Sequence, residues 1–190
     1  MPLAPLGLLV AALVRCTSKG PILFRQARAG LNGEVFELMK FRTMTVASGP
    51  RITSCDDRRI TCSGRFLRRS RLDELPQLWN VLRGEMSLVG PRPELPEIVA
   101  EYRDRDRLVL SVRPGLTDPA SLAFRDEAVW LEGRADPERW YRERVLPLKL
   151  GLSRRYVRRA TLRSDLRLLI ETVCLVARGV PAKQPRRLRP

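Results

Sequence analysis

The chain opens on an apolar run from Leu3 to Val14, closed by Arg15 and Lys19. The run is shorter than the ~20 residues that span a bilayer. It has no basic leading region and no clear cleavage site, which argues against a signal peptide. Pro2 and Pro5 stand where a helix could begin or a longer one bend. Two readings stay open for this stretch, a buried core helix and a membrane-dipping segment. Two β runs follow, Ile22–Arg28 and Glu34–Arg42, joined by a turn at Gly30-Leu31-Asn32-Gly33. Lys40 and Arg42 flank Phe41 and share a strand face, as a solvated pair or as a phosphate clamp. Thr45 to Ser63, with Gly49-Pro50 and Asp56-Asp57, reads as a loop whose acids are solvated or ligate a cation.

A basic segment, Gly64 to Arg71, leads into Asp73-Glu74. Leu75, Leu78, Trp79 and Leu82 then follow the spacing of an amphipathic helix, with Gly84 as its stop. Pro76 is tolerated only near a helix start, which puts Asp73 at or near the N-cap and Glu74 in the first turn. Beyond lie a rigid Pro91-Arg92-Pro93, a charged helix over Pro96–Val109 and a turn-rich connector, "VRPGLTDP". A basic helix over Glu138–Arg159 and a last helix capped by Ser164, apolar from Leu166 to Val176, complete the pattern. Residues 181–190 form a Pro/Arg tail expected to be disordered. No internal repeat is visible.

Composition narrows the chemistry. The length of 190 residues suits one domain with a real core, and 44% hydrophobic content is ordinary for a globular chain. Thirty-six basic against 21 acidic residues, a net charge of +15, call for an anionic partner. Nucleic acid, an anionic membrane face and phosphorylated small molecules all qualify. Histidine is absent, which excludes a Ser-His-Asp triad, a Cys-His pair and His-ligated zinc. Cys16, Cys55, Cys62 and Cys174 lack C-x-x-C spacing and read as reduced, inert thiols.

Three readings compete for the acid pair: helix capping, part of a Mg²⁺ site completed by phosphate oxygens, and a covalent carboxylate nucleophile at phosphorus. Arg68, Arg69, Arg71 and Arg92 crowd the pair in sequence and favour phosphate chemistry over capping alone. From the residues themselves the reading stops there.

The blocks "TSKGPILFRQARAG", "FELMKFRTM", "GRFLRRSRLDELPQLWNVLRGEMSLVGPRPE" and "RPGLTDP", in that order, closely resemble the bacterial sugar transferases, or monotopic phosphoglycosyl transferases. The resemblance runs from about Pro5 to Val176. It implies transfer of a sugar-1-phosphate from a nucleotide-diphosphate sugar, usually a UDP-sugar, to a polyprenyl phosphate such as undecaprenyl phosphate. It implies a ping-pong route in which Asp73 attacks the sugar-bearing phosphate and UMP leaves, while Glu74 helps hold Mg²⁺. Phosphate- and substrate-binding roles are implied for Lys40, Arg68 and Arg125, and a site-shaping role for Arg92. The implied fold is α+β: a short N-terminal β-hairpin, then mainly helices lying along the plane of the bacterial inner membrane, on its cytoplasmic face. In domain terms that gives residues 1–19 as part of a membrane-dipping segment and 20–180 as the catalytic domain.

Three departures from the family pattern stand out. Ala4-Pro5 falls where the family bends at Ser-Pro, so the first half of the membrane segment is expected to be missing. Ser153 in "LSRRYV" occupies a position that is often Asp, and "TDPASLAFRDE" replaces the commoner "TGWAQVNGRN". Two alternatives carry different expectations: an inactive membrane-associated relative, and a basic nucleic-acid binder. The second gains support from charge alone, since aromatics make up only 6% and no nucleic-acid motif is present; no nucleic-acid partner is expected.

Overall fold

The computed structural model of the chain describes residues 4–45, 57–125 and 127–178. Gly49-Pro50, Cys55, Asp56 and the tail 181–190 lie outside them. The predicted hairpin forms as β1 (Leu23–Ala29) and β2 (Val35–Phe41), antiparallel, with Leu23 opposite Phe41 and Ala29 opposite Val35. Its turn puts Asn32 and Gly33 at φ 54° and 83°, a region these two residue types enter at least cost.

The N-terminal run forms helix α1 (Ala4–Thr17). Val10 and Val14 pack with Phe41 and with Leu67 of α2 (Cys62–Ser70), while Leu8 and Leu9 on the other side are 73% and 69% exposed. The stretch is therefore half core helix and half bare apolar face. Among the described residues no helix is long and apolar enough to cross a membrane. Thr61 caps α2 by accepting from the Gly64 N–H at 2.9 Å. A Cβ on Gly64 would stand 2.0 Å from the Thr43 carbonyl oxygen, so α2 rests directly on the backbone that continues β2.

Arg71 ends α2 in the left-handed region, at φ 57°, and a 3-10 turn over Leu72–Glu74 follows. Helix α3 (Gln77–Leu82) comes next and stops at Gly84, φ 77°, as expected. Its buried face is not the predicted one. Gln77 and Asn80 are 1% and 0% exposed, whereas Trp79 and Leu82 are 54% and 59% exposed. Backbone hydrogen bonding decides this. Asn80 Oδ1 accepts from the Met39 N–H at 3.2 Å, and Nδ2 donates to the Glu37 carbonyl at 2.8 Å and to Glu85 Oε2 at 2.6 Å. Satisfying the strand's polar edge offsets the burial of a carboxamide.

A second small sheet is present as well. β3 (Ser87–Val89) pairs in parallel with β4 (Gly115–Thr117), where the sequence suggested only a connector. A Cβ on Gly115 would lie 2.1 Å from the Gly90 nitrogen, so two glycines admit the contact. Between the strands, the helix expected over Pro96–Val109 breaks into α4 (Pro96–Ala100) and a 3-10 turn at Arg107–Ser111. The charged Arg103–Arg107 stretch offers no apolar stripe to continue it, and the break lets Ile98, Tyr102 and Val109 enter one core.

That core is completed by α5 (Pro119–Ala123), α6 (Glu127–Trp130), α7 (Pro137–Trp140), a π turn at Tyr141–Val145 and α8 (Leu146–Arg159), through Phe124, Leu131, Val145 and Leu150. The basic helix is thus where it was expected. The last helix, α9 (Leu162–Arg178), starts ahead of Ser164. Thr161 and Ser164 cap it reciprocally, Ser164 N to Thr161 Oγ1 at 3.2 Å and Thr161 N to Ser164 Oγ at 2.9 Å. Cys16, Cys62 and Cys174 are free, as reduced thiols would be, and exposed.

Asn80→Ala should lower the unfolding free energy by about 2–4 kcal/mol, because it strands the Met39 N–H and the Glu37 carbonyl. Trp79→Ala, on the exposed side of the same helix, should cost about 0.5 kcal/mol or less. Urea unfolding followed by circular dichroism compares the two.

Candidate active site

Asp73 and Glu74 sit where the two hydrophobic clusters meet. Leu72 and Leu75, on either side of the pair, pack on the cluster around Val14, Phe41 and Leu67. Arg92 arrives from the Pro91–Pro93 loop, which runs into Leu95 of the other cluster. Its guanidinium meets Glu74 as a fork, Nη2 to Oε1 at 2.6 Å and Nη1 to Oε2 at 3.4 Å. Arg71 Nη1 adds a contact to Oε1 at 3.2 Å.

The loop carrying Arg92 is anchored firmly. Ala29 N–H donates to the Glu94 carbonyl at 2.9 Å. Arg28 Nη1 donates to the Pro93 carbonyl at 3.3 Å and to Glu94 Oε1 at 3.1 Å, and the Tyr141 hydroxyl donates to Glu94 Oε2 at 2.5 Å. Two prolines and these bonds leave Arg92 little backbone freedom. The sequence anticipated the proline restraint but not the role of Glu94 as its anchor.

The two carboxyls titrate far apart. Burial, with the Glu74 charge beside it, pushes Asp73 up to about 6, and Lys40, Arg71 and Arg68 restrain the rise. Burial also opposes the charge on Glu74, but Arg92 and Arg71 overcome it and hold that carboxyl at about 2. Burial, aided by the repulsion of Arg92 and Arg28, brings Lys40 down to about 8, and its ammonium lies 5.7 Å from the centre of the Phe24 ring. At neutral pH, then, Glu74 is a fixed anion, Lys40 is mostly a cation, and Asp73 is ionised but poorly solvated. Asp73 is 7% exposed and its Oδ1 has no hydrogen-bond partner. Paired acids with separated titrations and a bare carboxylate oxygen are the arrangement expected of a nucleophile beside a structural anion.

Lys40, Arg68, Asp73, Glu74 and Arg92 are thus drawn into one electrostatic cluster. Arg68 acts on Asp73 by charge while its Nε donates to Thr43 Oγ1 at 2.9 Å. Arg125 enters differently. Its Nη1 donates to the Leu175 carbonyl of α9 at 3.1 Å, and its own carbonyl accepts from Arg71 Nη2 at 3.0 Å, which is its link to the acid pair. Asp73 does not cap a helix as the sequence suggested: it lies inside the 3-10 turn, with Arg71 and Pro76 at the cap positions. In the sequence Arg71 is indistinguishable from the arginines around it. Nothing in the sequence marks it, because an arginine does not announce a left-handed backbone.

Two other expectations resolve into structural roles. Arg42 is 5% exposed, so it is not a solvated strand residue; its Nη2 donates to Ser18 O at 2.8 Å and Oγ at 2.9 Å and ties down the end of α1. Asp57 is held by Arg59, Nη2 to Oδ2 at 2.6 Å. As for a metal, the described residues contain no group of three or more His, Cys, Asp or Glu side chains that could hold one. The adjacent carboxylates with an orphaned Asp73 oxygen nonetheless fit Mg²⁺, which takes one or two carboxylates and completes its shell with phosphate oxygens. Glu74 would have to share its oxygens with Arg92.

Ser153 is buried and donates to Asp118 Oδ2 at 2.6 Å, while Asp118 Oδ1 caps α5 by accepting from Ser121 N at 2.7 Å. The carboxylate absent at position 153 is therefore present, 0% exposed, directly across from it. Ser153→Asp should place two buried carboxyls together and cost about 3 kcal/mol or more at pH 7, with Asp118→Asn in the same chain recovering much of it; thermal melts of the three variants check this. Asp73→Asn should do the opposite. The folded-state titration of Asp73 lies above its ordinary value of 3.8. Its contribution to stability is therefore present below about 4 and lost as pH rises through about 6. Replacing it with neutral Asn should stabilise the protein by about 2–3 kcal/mol at pH 7, an advantage that vanishes by about pH 4. Denaturant titrations at the two pH values test the sign.

Comparison with known proteins agrees with the geometry. The family model described as "Bacterial sugar transferase" matches residues 1–179. The chain is 46% identical over 136 residues to an undecaprenyl-phosphate glucose phosphotransferase of Komagataeibacter xylinus, covering 64% of this chain and 25% of that protein. It is 38% identical over 184 residues to a UDP-glucose:undecaprenyl-phosphate glucose-1-phosphate transferase of Caulobacter vibrioides, covering 90% of this chain and 62% of the relative. It is 35% identical over 191 residues to the exopolysaccharide production protein ExoY of Sinorhizobium fredii, covering 90% and 76%. The chain spans less than two thirds of the length of the first two. With the family model matched across nearly its whole length, and an acid pair clamped by arginines at its centre, this chain belongs to the bacterial sugar transferase family.

Proposed function

We propose that this protein transfers a sugar-1-phosphate from a nucleotide-diphosphate sugar to a polyprenyl phosphate and releases the nucleoside monophosphate, the priming step of surface polysaccharide or glycoconjugate synthesis. The donor class is a UDP-sugar and the acceptor class is undecaprenyl phosphate, as in the names of the relatives. The observation that carries the reading is the pairing of a bare, buried Asp73 carboxylate oxygen with a Glu74 already committed to Arg92 and Arg71.

In this reading an Asp73 oxygen attacks the phosphorus that bears the sugar. The phosphoanhydride bond breaks, UMP leaves with the electron pair, and an aspartyl-phosphosugar remains. The phosphate oxygen of the polyprenyl acceptor then attacks the same phosphorus and restores the carboxylate. Partial desolvation raises the basicity of Asp73 while leaving it mostly ionised above pH 7. Lys40 and Arg68 offset the charge of the incoming diphosphate, and Arg92 keeps Glu74 from repelling it freely. Arg125 serves the substrate indirectly, by fixing the segment behind Arg71. Mg²⁺ would be held by Glu74 and Asp73 together with phosphate oxygens, and would supply further charge neutralisation there.

An amphiphilic acceptor suits the surface. Leu8 and Leu9 on α1, Trp79 and Leu82 on α3, and Leu162, Leu166, Ile170 and Val173 along one side of α9 are exposed apolar side chains on a strongly basic protein. That combination supports monotopic docking on an anionic bilayer, with the site on the cytoplasmic face of the inner membrane and residues 1–19 part of the dipping element.

The test uses purified protein in detergent or vesicles with UDP-glucose and undecaprenyl phosphate. UMP should appear, and without acceptor the peptide bearing Asp73 should gain the mass of a hexose phosphate. Asp73→Asn should cut UMP release by about 10³-fold or more. Release by that variant at the parent rate would overturn the assignment.

A further inference from the structure

Glu127 stands two residues beyond Arg125, at the start of α6, and its N–H donates to the Phe124 carbonyl at 3.1 Å, closing the turn that carries both. The Arg125 carbonyl in that turn accepts from Arg71 Nη2, which ties the turn to the acid pair. The Glu127 side chain is fastened from another direction. Lys149 Nζ on α8 donates to its Oε2 at 2.8 Å and to the Tyr141 hydroxyl at 3.1 Å. That hydroxyl donates to Glu94, the anchor of the loop bearing Arg92. Glu127 is thus linked to the segment behind one arginine that grips Glu74 and to the loop behind the other. Its charge acts on both Arg92 and Arg28.

The carboxylate is oriented but not used up. The Lys149 side chain is 11% exposed and that of Glu127 33%, so a well-covered cation pins an anion that solvent still reaches. Glu127 Oε1 has no hydrogen-bond partner among the described residues. A carboxylate repels phosphate and accepts from hydroxyl or N–H donors. In a nucleotide-diphosphate sugar the phosphorus attacked by Asp73 bears the hexose directly, whereas the base lies beyond a second phosphate and a ribose. The donors nearest the acid pair are therefore the hydroxyls of the sugar.

We propose that Glu127 is a specificity-determining residue for the donor: its free oxygen accepts a hydrogen bond from a hydroxyl of the transferred hexose, while Lys149 and Tyr141 hold the carboxylate in place. The role rests on the proposed function for the identity of the donor.

UDP-glucose and its monodeoxy analogues, each lacking one hydroxyl of the hexose, supply the test. In UMP release with undecaprenyl phosphate, the parent should favour UDP-glucose over at least one analogue by about 100-fold in kcat/KM, as for a hydroxyl bonded to a charged group. Glu127→Ala should bring that preference to within about threefold, by losing rate on UDP-glucose and not on the analogue. Glu127→Gln keeps the shape and a neutral acceptor, and should retain about 10-fold. Inhibition by UMP, which carries no sugar, should stay within about twofold of the parent in both variants. A merely structural role would weaken UMP and every donor alike. If Glu127→Ala does not fold, the preference of Glu127→Gln decides. No preference in the parent, an unchanged preference in the variants, or UMP inhibition weakened in step with UDP-glucose would overturn the proposal.

Calorimetric binding of the same donors without acceptor, in an Asp73→Asn background where no intermediate forms, separates the sugar contact from the proposed function. A preference for UDP-glucose that falls about 10-fold on adding Glu127→Gln supports the contact even if the parent releases no UMP, a result that would sink the proposed function alone. A preference that Glu127→Gln leaves intact overturns the contact whatever the activity.

Discussion

The site depends on the fork between Arg92 and Glu74. It is a short, poorly solvated ion pair, and it joins two halves of the molecule that otherwise have separate hydrophobic clusters. Both ions are only partly exposed, Arg92 at 29% and Glu74 at 15%, and each offsets the desolvation of the other. The pair makes burial permissible, and burial in turn makes Asp73 unusual. With Glu74 fixed as an anion next door and little water to solvate a second one, Asp73 is left as the acid that titrates closest to neutrality.

The arginine excess takes on a local meaning in this light. Many of the 36 basic residues are surface charge, but those near the acid pair are bound in specific ways: Arg92 to Glu74, Arg68 to Thr43, Arg71 to Glu74 and Arg125, Arg28 to Glu94. Such arginines are oriented by the protein's own acceptors. Lys40 is the softer member, with a titration brought near 8 by burial among cations. The cluster holds two anions among oriented cations, and the ionised form of Asp73 is the member whose burial costs stability.

Much of the fold was legible from local pattern. The hairpin, the turn at Asn32-Gly33, the stop at Gly84 and the basic helix ending at Arg159 follow from alternation, turn chemistry and helical spacing, all of which act over a few residues. The errors share a cause. Trp79 and Leu82 had the spacing of a core face, yet Gln77 and Asn80 are inside, because a strand edge some forty residues away required hydrogen-bond partners. The strands β3 and β4 escaped notice because three residues carry no period, and their pairing needs the close passage of Gly90 and Gly115.

What the sequence determined by itself was the chemical inventory: adjacent acids, a surplus of arginine, no histidine, and a motif long enough to mark the family. It also fixed that Arg92 would be held stiffly, since the proline rings on both sides act locally. Tertiary structure decided which acid is free and which is paired, turned Arg125 toward α9, and set a carboxylate at Asp118 opposite the serine where one was missing. Those outcomes depend on distance and desolvation between segments far apart in the chain, and neither quantity exists until the chain has folded.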